Sequence, residues 1–276
     1  MSALKKEISM LNFISFGSGS SGNCYLLYSE TDCLMIDCGV GIRLLKKYFQ
    51  NYNLPIRMIK HIILTHDHAD HVKAVGSISK DLNIPVYATE LVHQGIRKNL
   101  AVHRKIDSKL VVEIEKQERI EIGEFSVTPF SVPHDSTDCV GYCIEHEGIS
   151  FVLVTDCGQV TEEILKYISK ANYLVLESNH EPEKLIAGSY PAHLKKRILG
   201  ATGHLSNEDC GKALVEGATS KLKHVWLCHL SDENNHPELA RKTIENILRT
   251  NGIIPNVDFV LDILKRKTPS EIQSLV

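Results

Sequence analysis

The stretch His61-Ile62-Ile63-Leu64-Thr65-His66-Asp67-His68-Ala69-Asp70-His71 decides how the rest of the chain is read. Its first half is a short apolar run of strand character, and the histidine cluster begins where that run stops. In an extended segment, residues two apart point the same way, so His66 and His68 can converge on one point. Asp70 and His71 fall at the turn into the following helical pattern and can address a second point nearby. Imidazole nitrogen and carboxylate oxygen are donors that Zn²⁺ and related ions accept, and few other roles call for so dense a cluster. The competing reading is a solvated polar loop that happens to be rich in histidine.

Other strand ends repeat the arrangement. The apolar Phe130-Ser131-Val132 leads to Pro133-His134-Asp135, Phe151–Thr155 leads to Asp156, and Val225–Cys228 leads to His229. Singly, each would be read as a turn residue. Together they extend the candidate metal set to His66, His68, Asp70, His71, His134, Asp156 and His229. Asp37 also follows an apolar run, Leu34-Met35-Ile36, and is read as structural, bonding nearby backbone in a turn.

The chain has 276 residues, 43% hydrophobic and 24% charged, ordinary for a soluble globular protein and long enough to bury a sizeable core. A net charge of -3 gives no bulk attraction to nucleic acid or membrane, so any polyanion contact must be local. The eight cysteines are scattered without a CxxC pair, and those in apolar runs, such as Cys228, read as reduced buried thiols. The basic start, MSALKKEISMLNFISF, has no long apolar stretch or small-residue cleavage site, and no segment reaches the ~18 apolar residues of a membrane span. The cytoplasm is the expected compartment. Of all counts, the 14 histidines stand out.

Along the chain, MLNFISF, NCYLLYS and DCLMIDCG read as strands. The loop Gly17–Gly22 between the first two lacks a P-loop lysine and precedes a strand, so it reads as a plain turn. A helix is expected over 41–53, one continuous helix over 71–83, a strand over 84–89 and a helix over 90–100. A β-rich stretch follows to Asp156, and then strands and helices alternate to the end. No repeat, low-complexity segment or linker divides the chain, so residues 1–276 are expected to form one domain.

The HxHxDH cluster at 66–71, His134, Asp156, His229 and the early Asp37 together resemble the metallo-β-lactamase superfamily, over nearly the whole chain. The resemblance implies an α+β fold, an αββα four-layer sandwich with two divalent ions at one edge between the sheets. It puts one ion on His66, His68 and His134, the other on Asp70, His71 and His229, and Asp156 between them. Two such ions can lower the pKa of a bridging water toward neutrality, which Asp70 could orient as a catalytic residue. His68 occupies a position where the redox di-iron branch has a carboxylate, which favours hydrolysis. Zn²⁺ suits the donors best, with Mn²⁺ or Fe as alternatives.

Gly203-His204-Leu205-Ser206-Asn207 reads first as a helix start with Ser206 or Asn207 as cap. With FGSGSSGNCYLL, the segment ESNHE at 177–181 and SYPAHLKKRILG, it resembles the YycJ-like (WalJ-like) branch, which is associated with metal-dependent 5′ exonuclease action on DNA. That resemblance makes His204 a catalytic and substrate-binding residue at the scissile phosphate, with Ser206 and His180 as further substrate contacts. Lys195, Lys196 and Arg197, and further on Lys221 and Lys223, are either a solvated face or a phosphate-backbone contact. The alternatives are a small-molecule hydrolase of lactones, thioesters or cyclic phosphodiesters, which would share every metal ligand, and a metal-stabilised binding protein, whose closed structural site would not need so many ligands.

Overall fold

Side chains alternate along strands that are buried on both faces, and this alternation builds the architecture. In β2 (Cys24–Tyr28), Tyr25 and Leu27 enter one core while Cys24 and Leu26 enter another. In β10 (Ile149–Val154), Phe151 and Leu153 go one way and Val152 and Val154 the other. Such strands have no polar face, which is why they read as unbroken apolar runs. The computed structural model describes residues 10–276. The reading of the basic start therefore lies, for residues 1–9, outside the described residues, as does that part of the 1–276 assignment.

Among the described residues the strands form two seven-stranded sheets. The first runs β14 (Gln273–Leu275), β1 (Leu11–Gly17), β2, β3 (Cys33–Ile36), β4 (His61–Ile63), β5 (Val86–Ala88) and β6 (Val111–Glu113). The second runs β13 (Val260–Ile263), β12 (His224–Cys228), β11 (Tyr173–Glu177), β10, β9 (Val140–His146), β8 (Phe125–Ser131) and β7 (Ile120–Ile122). Strands β3 to β6 and β10 to β13 pair in parallel, and the remaining pairs are antiparallel.

Parallel neighbours require crossovers, and helices supply most of them. On the first sheet these are α1 (Ile42–Asn51), α2 (Ala69–Val72), α3 (Val75–Leu82) and α4 (Glu90–Lys98). Leu45, Phe49, Ile78 and Val92 seal its outer face. On the second they are α5 (Glu162–Ile168), α6 (Pro182–Ala187), α7 (Ala192–Ile198), α8 (Asn207–Gly217) and α9 (Pro237–Thr250). There Ile164, Leu214 and Ile244 pack on Val152 and Leu174. Between the sheets the Phe13 ring lies 5.1 Å from Phe151 and 4.6 Å from Trp226. The fold is the expected four-layer αββα sandwich.

Two departures from the sequence reading have physical causes. The helix expected over 71–83 is broken between α2 and α3. Asn23 N–H donates to the Asp70 carbonyl (2.7 Å) and Cys38 N–H to the His71 carbonyl (2.6 Å), while Ala74 N–H turns to Cys38 O (2.9 Å). Carbonyls that would continue the helix are spent on the loops after β1 and β3. Helix α6 and strand β14 were not anticipated, being too short to show a period. All eight cysteines are free and buried.

The sheets are sewn together where β4 ends. Val140 N–H donates to Thr65 O (3.0 Å), His66 bridges to Cys139, and the Tyr142 hydroxyl donates to Leu64 O (2.6 Å). The wall on the other side needs a glycine, because a Cβ on Gly39 would lie 1.6 Å from the Asp70 carbonyl oxygen. Gly39→Ala is expected to destabilise the protein by on the order of 3 kcal/mol, as overpacking against rigid backbone does. Denaturant unfolding checks this, and wild-type stability would show that the loop yields.

Candidate metal centre

Every candidate ligand leaves the carboxyl end of a strand, the end where open sheets with parallel strands place their ligands. His66, His68, Asp70 and His71 follow β4, His134 follows β8, Asp156 follows β10 and His229 follows β12. Asp37, Asp156 and His229 have φ of 60°, 50° and 53°. These are left-handed conformations that cost a non-glycine residue on the order of 1 kcal/mol or more each. They turn the chain sharply off β3, β10 and β12.

The donors converge in four groups, some with shared members: His66, His68 and His134; Asp70, His71 and His229; His66, His71 and Asp156; and Asp156, Glu177, His204 and His229. The rings of His66, His68 and His134 lie 4.7, 5.1 and 5.0 Å apart pairwise. Asp70, His71 and His229 form the second group, and in each group one donor atom per residue lies within 4.8 Å of the others. Asp156 stands between these two, with Oδ2 3.0 Å from His71 Nε2 and Oδ1 3.8 Å from His134 Nε2. His66 Nε2 and His229 Nε2 are buried with no hydrogen-bond partner. Buried polar atoms are seldom left so, and inward imidazoles beside carboxylates fit divalent ions.

Surrounding residues fix the ring orientations. His134 Nδ1 donates to Gly203 O (3.0 Å), and His71 Nδ1 meets Asp37 Oδ2 at 2.7 Å, which leaves Nε2 of each ring directed inward. Asp37 Oδ1 also accepts from Thr65 N–H (2.9 Å). The sequence reading had Asp37 bonding nearby backbone in a turn. Its partners are instead far along the chain, and one of them is a candidate ligand.

Charge follows from this packing. Burial alone would lower the pKa of His71, but Asp37, Asp156 and Asp70 raise it to about 10. His229 is likewise raised despite burial, by Asp156, by the Asp70 carboxylate 3.6 Å from its Nε2 and by its bond to Glu177. His66 is held well below its usual value by burial and by the neighbouring His71. Burial also lowers His134. Against burial, His229 and His71 keep Asp156 well below the usual carboxylate range, and His71 and His229 do the same for Asp70 to a lesser degree.

Glu177, the last residue of β11, was missed as a site residue. Its Oε1 lies 2.8 Å from His204 Nδ1 and 3.0 Å from His229 Nδ1, while Oε2 accepts from Cys157 N–H (2.7 Å) and Leu205 N–H (3.1 Å). Against burial, the His204 charge and the bonds to His204 and His229 bring it to about 2, and Glu177 in turn raises His204 despite its burial. A lone carboxylate closing an apolar strand was the available signal, the one already used for Asp156.

The remaining expectations divide. His204 sits beside the centre, its ring 5.1 Å from His134 and 5.3 Å from His229. His180 is buried with neither ring nitrogen bonded, and burial lowers it to about 4. The Ser206 hydroxyl caps α8, accepting from Asp209 N–H (3.0 Å) and donating to the Asp209 carboxylate (2.7 Å). The basic run is largely committed elsewhere: Arg197 grips Asp135, and Lys195 donates to Ile186 O (2.6 Å). Lys223 precedes β12, whose five residues separate it from His229 by about 17 Å. The Gly17–Gly22 loop, read as a plain turn, borders the centre: Ser18 Oγ accepts from His229 N–H (3.0 Å), and Asn23 Nδ2 lies 2.8 Å from His71 Nε2.

A family model described as a β-lactamase superfamily domain matches residues 33–229, the span from β3 to His229. The chain belongs to that superfamily. It is 32% identical over 263 residues to exodeoxyribonuclease YycJ of Bacillus anthracis, covering 95% of this chain and 98% of that protein. It is 34% identical over 242 residues to exodeoxyribonuclease WalJ of Streptococcus pneumoniae, covering 88% and 90%. Among solved structures, the metallo-β-lactamase fold protein YhfI of Bacillus subtilis superposes with a TM-score of 0.70 at 18% identity, covering 96% of this chain and 99% of that one. That likeness concerns the fold. This member of the superfamily is a metal-dependent hydrolase. No helix among the described residues is long and apolar enough to cross a membrane.

Glu177→Gln removes the charge shared by His204 and His229 while keeping the shape. The His204 pKa is expected to fall, read by NMR titration of its ring, with a stability loss of roughly 1–3 kcal/mol from the disturbed buried bonds. An unmoved His204 titration would show that Glu177 does not govern its charge.

Proposed function

We propose that this protein is a dinuclear metal-dependent phosphodiesterase that removes nucleotides from DNA 5′ ends. The observation that carries the reading is the pair of donor groups flanking Asp156, on a chain aligned nearly end to end with proteins named exodeoxyribonucleases. His66, His68 and His134 would hold one ion, Asp70, His71 and His229 the other, and Asp156 would touch both. Paired divalent ions would supply Lewis-acid charge against the phosphoryl oxygens. Nitrogen and oxygen donors without thiolate suit Zn²⁺, with Mn²⁺ or Fe as the alternatives. Eight free cysteines fit a reducing cytoplasm.

The chain's own groups divide the remaining work. His204, charged through Glu177, donates a proton to the leaving oxygen. Asp70 is anionic and positioned to orient the attacking water. His180 lies close enough to Glu177 and His204 for its charge state to respond to theirs, and its buried, unbonded nitrogens would contact the strand only once binding uncovers them. Ser206 contributes through the helix start it caps beside His204.

His204→Ala is expected to keep metal and fold yet lose activity by roughly 10²–10⁴. Asp156→Ala should lose both ions by elemental analysis, against about two per chain in the wild type. Cleavage of 5′- and 3′-labelled strands with Zn²⁺, Mn²⁺, Mg²⁺ and Fe²⁺ tests the substrate. No degradation with any of them, alongside brisk lactone or thioester hydrolysis, would sink the nuclease reading.

Metal affinity has a defined pH dependence. His71 is protonated below about 10, and a ligand needs the neutral ring. Affinity should therefore rise with pH through neutrality, and metal uptake at pH near 7 should release protons to an unbuffered solution. Uptake without proton release would remove His71 from the ligand set.

A further inference from the structure

A cavity of about 580 Å³ opens beside the metal centre, between the Gly17–Gly22 loop, the start of α1 and the segment around Arg266. Its size falls within the ~300–1,000 Å³ typical of ligand sites. Phe16, Val40, Leu44 and Tyr48 give it an apolar floor, and Leu44 is 44% exposed. Arg43, Lys73, Arg266 and Lys267 stand around it. Asp232 is the carboxylate paired with Arg266 and Lys267, and Lys73 donates to Ser21 O (2.6 Å). Arg43 has no hydrogen bond or ion pair among the described residues. The rim therefore carries a surplus of positive charge on a chain whose net charge is -3.

The cavity and the centre share a wall. Gly22 lines it, and the next residue, Asn23, lies 2.8 Å from His71 Nε2 and 3.4 Å from Asp70 Oδ2. Lys73 lines it two residues after His71. Tyr48 donates to Lys267 O (2.7 Å), and its ring stacks 6.1 Å from Phe16, so floor and rim are tied together. The first turn of α1 holds no acidic side chain or side-chain cap, so nothing there repels an anion.

We propose that this cavity is the groove for the single nucleic-acid strand that leads away from the scissile bond. Its phosphates lie along Arg43, Lys73, Arg266 and Lys267, and a sugar or base rests on the Leu44–Tyr48 floor. A strand carries both a regular row of charges and an apolar base face, and the groove offers the match to each. A free phosphate would use only the rim. The groove rests on the nuclease reading for its occupant, but its test reads binding and not cleavage.

The test uses the full chain and a labelled, cleavage-resistant phosphorothioate strand of roughly 12 nucleotides, within the usual site sizes for single strands. Arg43→Glu with Lys267→Glu should weaken binding at least tenfold relative to Lys46→Glu, an exposed charge reversal on the same helix outside the cavity. The plot of log affinity against log salt should lose about 0.7 of slope per lost phosphate contact. Binding of a dinucleotide should change far less than binding of the long strand. Equal effects of the groove and Lys46 reversals would overturn the proposal. So would competition by polyglutamate as effective as that by unlabelled strand, which would mark a general anion surface. Cleavage of labelled DNA by the wild type, run in parallel, bears on the nuclease reading alone.

Discussion

Three carboxylates, Asp37, Asp156 and Glu177, are 0%, 2% and 0% exposed at the edge where the two sheets meet. Burying an unpaired carboxylate costs several kcal/mol, so this edge of the fold exists only with positive charge among them. His71 lies between Asp37 and Asp156, while His204 and His229 share Glu177. Backbone N–H groups of Thr65, Cys157 and Leu205 take further oxygens. Without metal, protonated imidazole supplies the charge. Divalent ions would take over that task, and metal binding at this edge would then be coupled to folding.

The same constraint divides the centre into faces. His66, His68, Asp70 and His71 come from the first sheet's connections, and His134, Asp156, His204 and His229 from the second's. Glu177 binds a candidate ligand and the neighbouring His204 through one oxygen, which sets the charge of both together. On the opposite side the Asp70 and His71 carbonyls are held by Asn23 and Cys38, so backbone hydrogen bonds tie the cavity wall to the candidate ligand positions.

The histidine cluster was legible because a buried strand that ends in polar donors leaves an abrupt change from apolar to polar residues, and His134, Asp156 and His229 repeat it. The two-sheet fold was carried by resemblance, since alternation is invisible in strands buried on both faces. The partners of Asp37 and Glu177 were not legible, because they lie 28 or more residues away from Asp37, and 20 to 52 away from Glu177. The break between α2 and α3 was hidden for the same reason: the helical pattern continues, and only the carbonyl acceptors are diverted. The basic run at 195–197 stayed open between a solvated face and a phosphate contact because charge alone does not show that Arg197 is held by Asp135.

Because the candidate ligands come from both sheets, the packing between the sheets sets their separation. Phe13, Phe151 and Trp226 fill that layer, and Tyr142 reaches across it to Leu64 O, two residues before His66. A displacement of about 1 Å at a reacting centre can cost on the order of 10²-fold in rate. A cavity in this layer would shift one half of the donor set against the other without removing any candidate ligand. Core residues that touch no ligand therefore share in fixing the geometry of the centre, and the stiffness of a close-packed interior is what carries their influence to it.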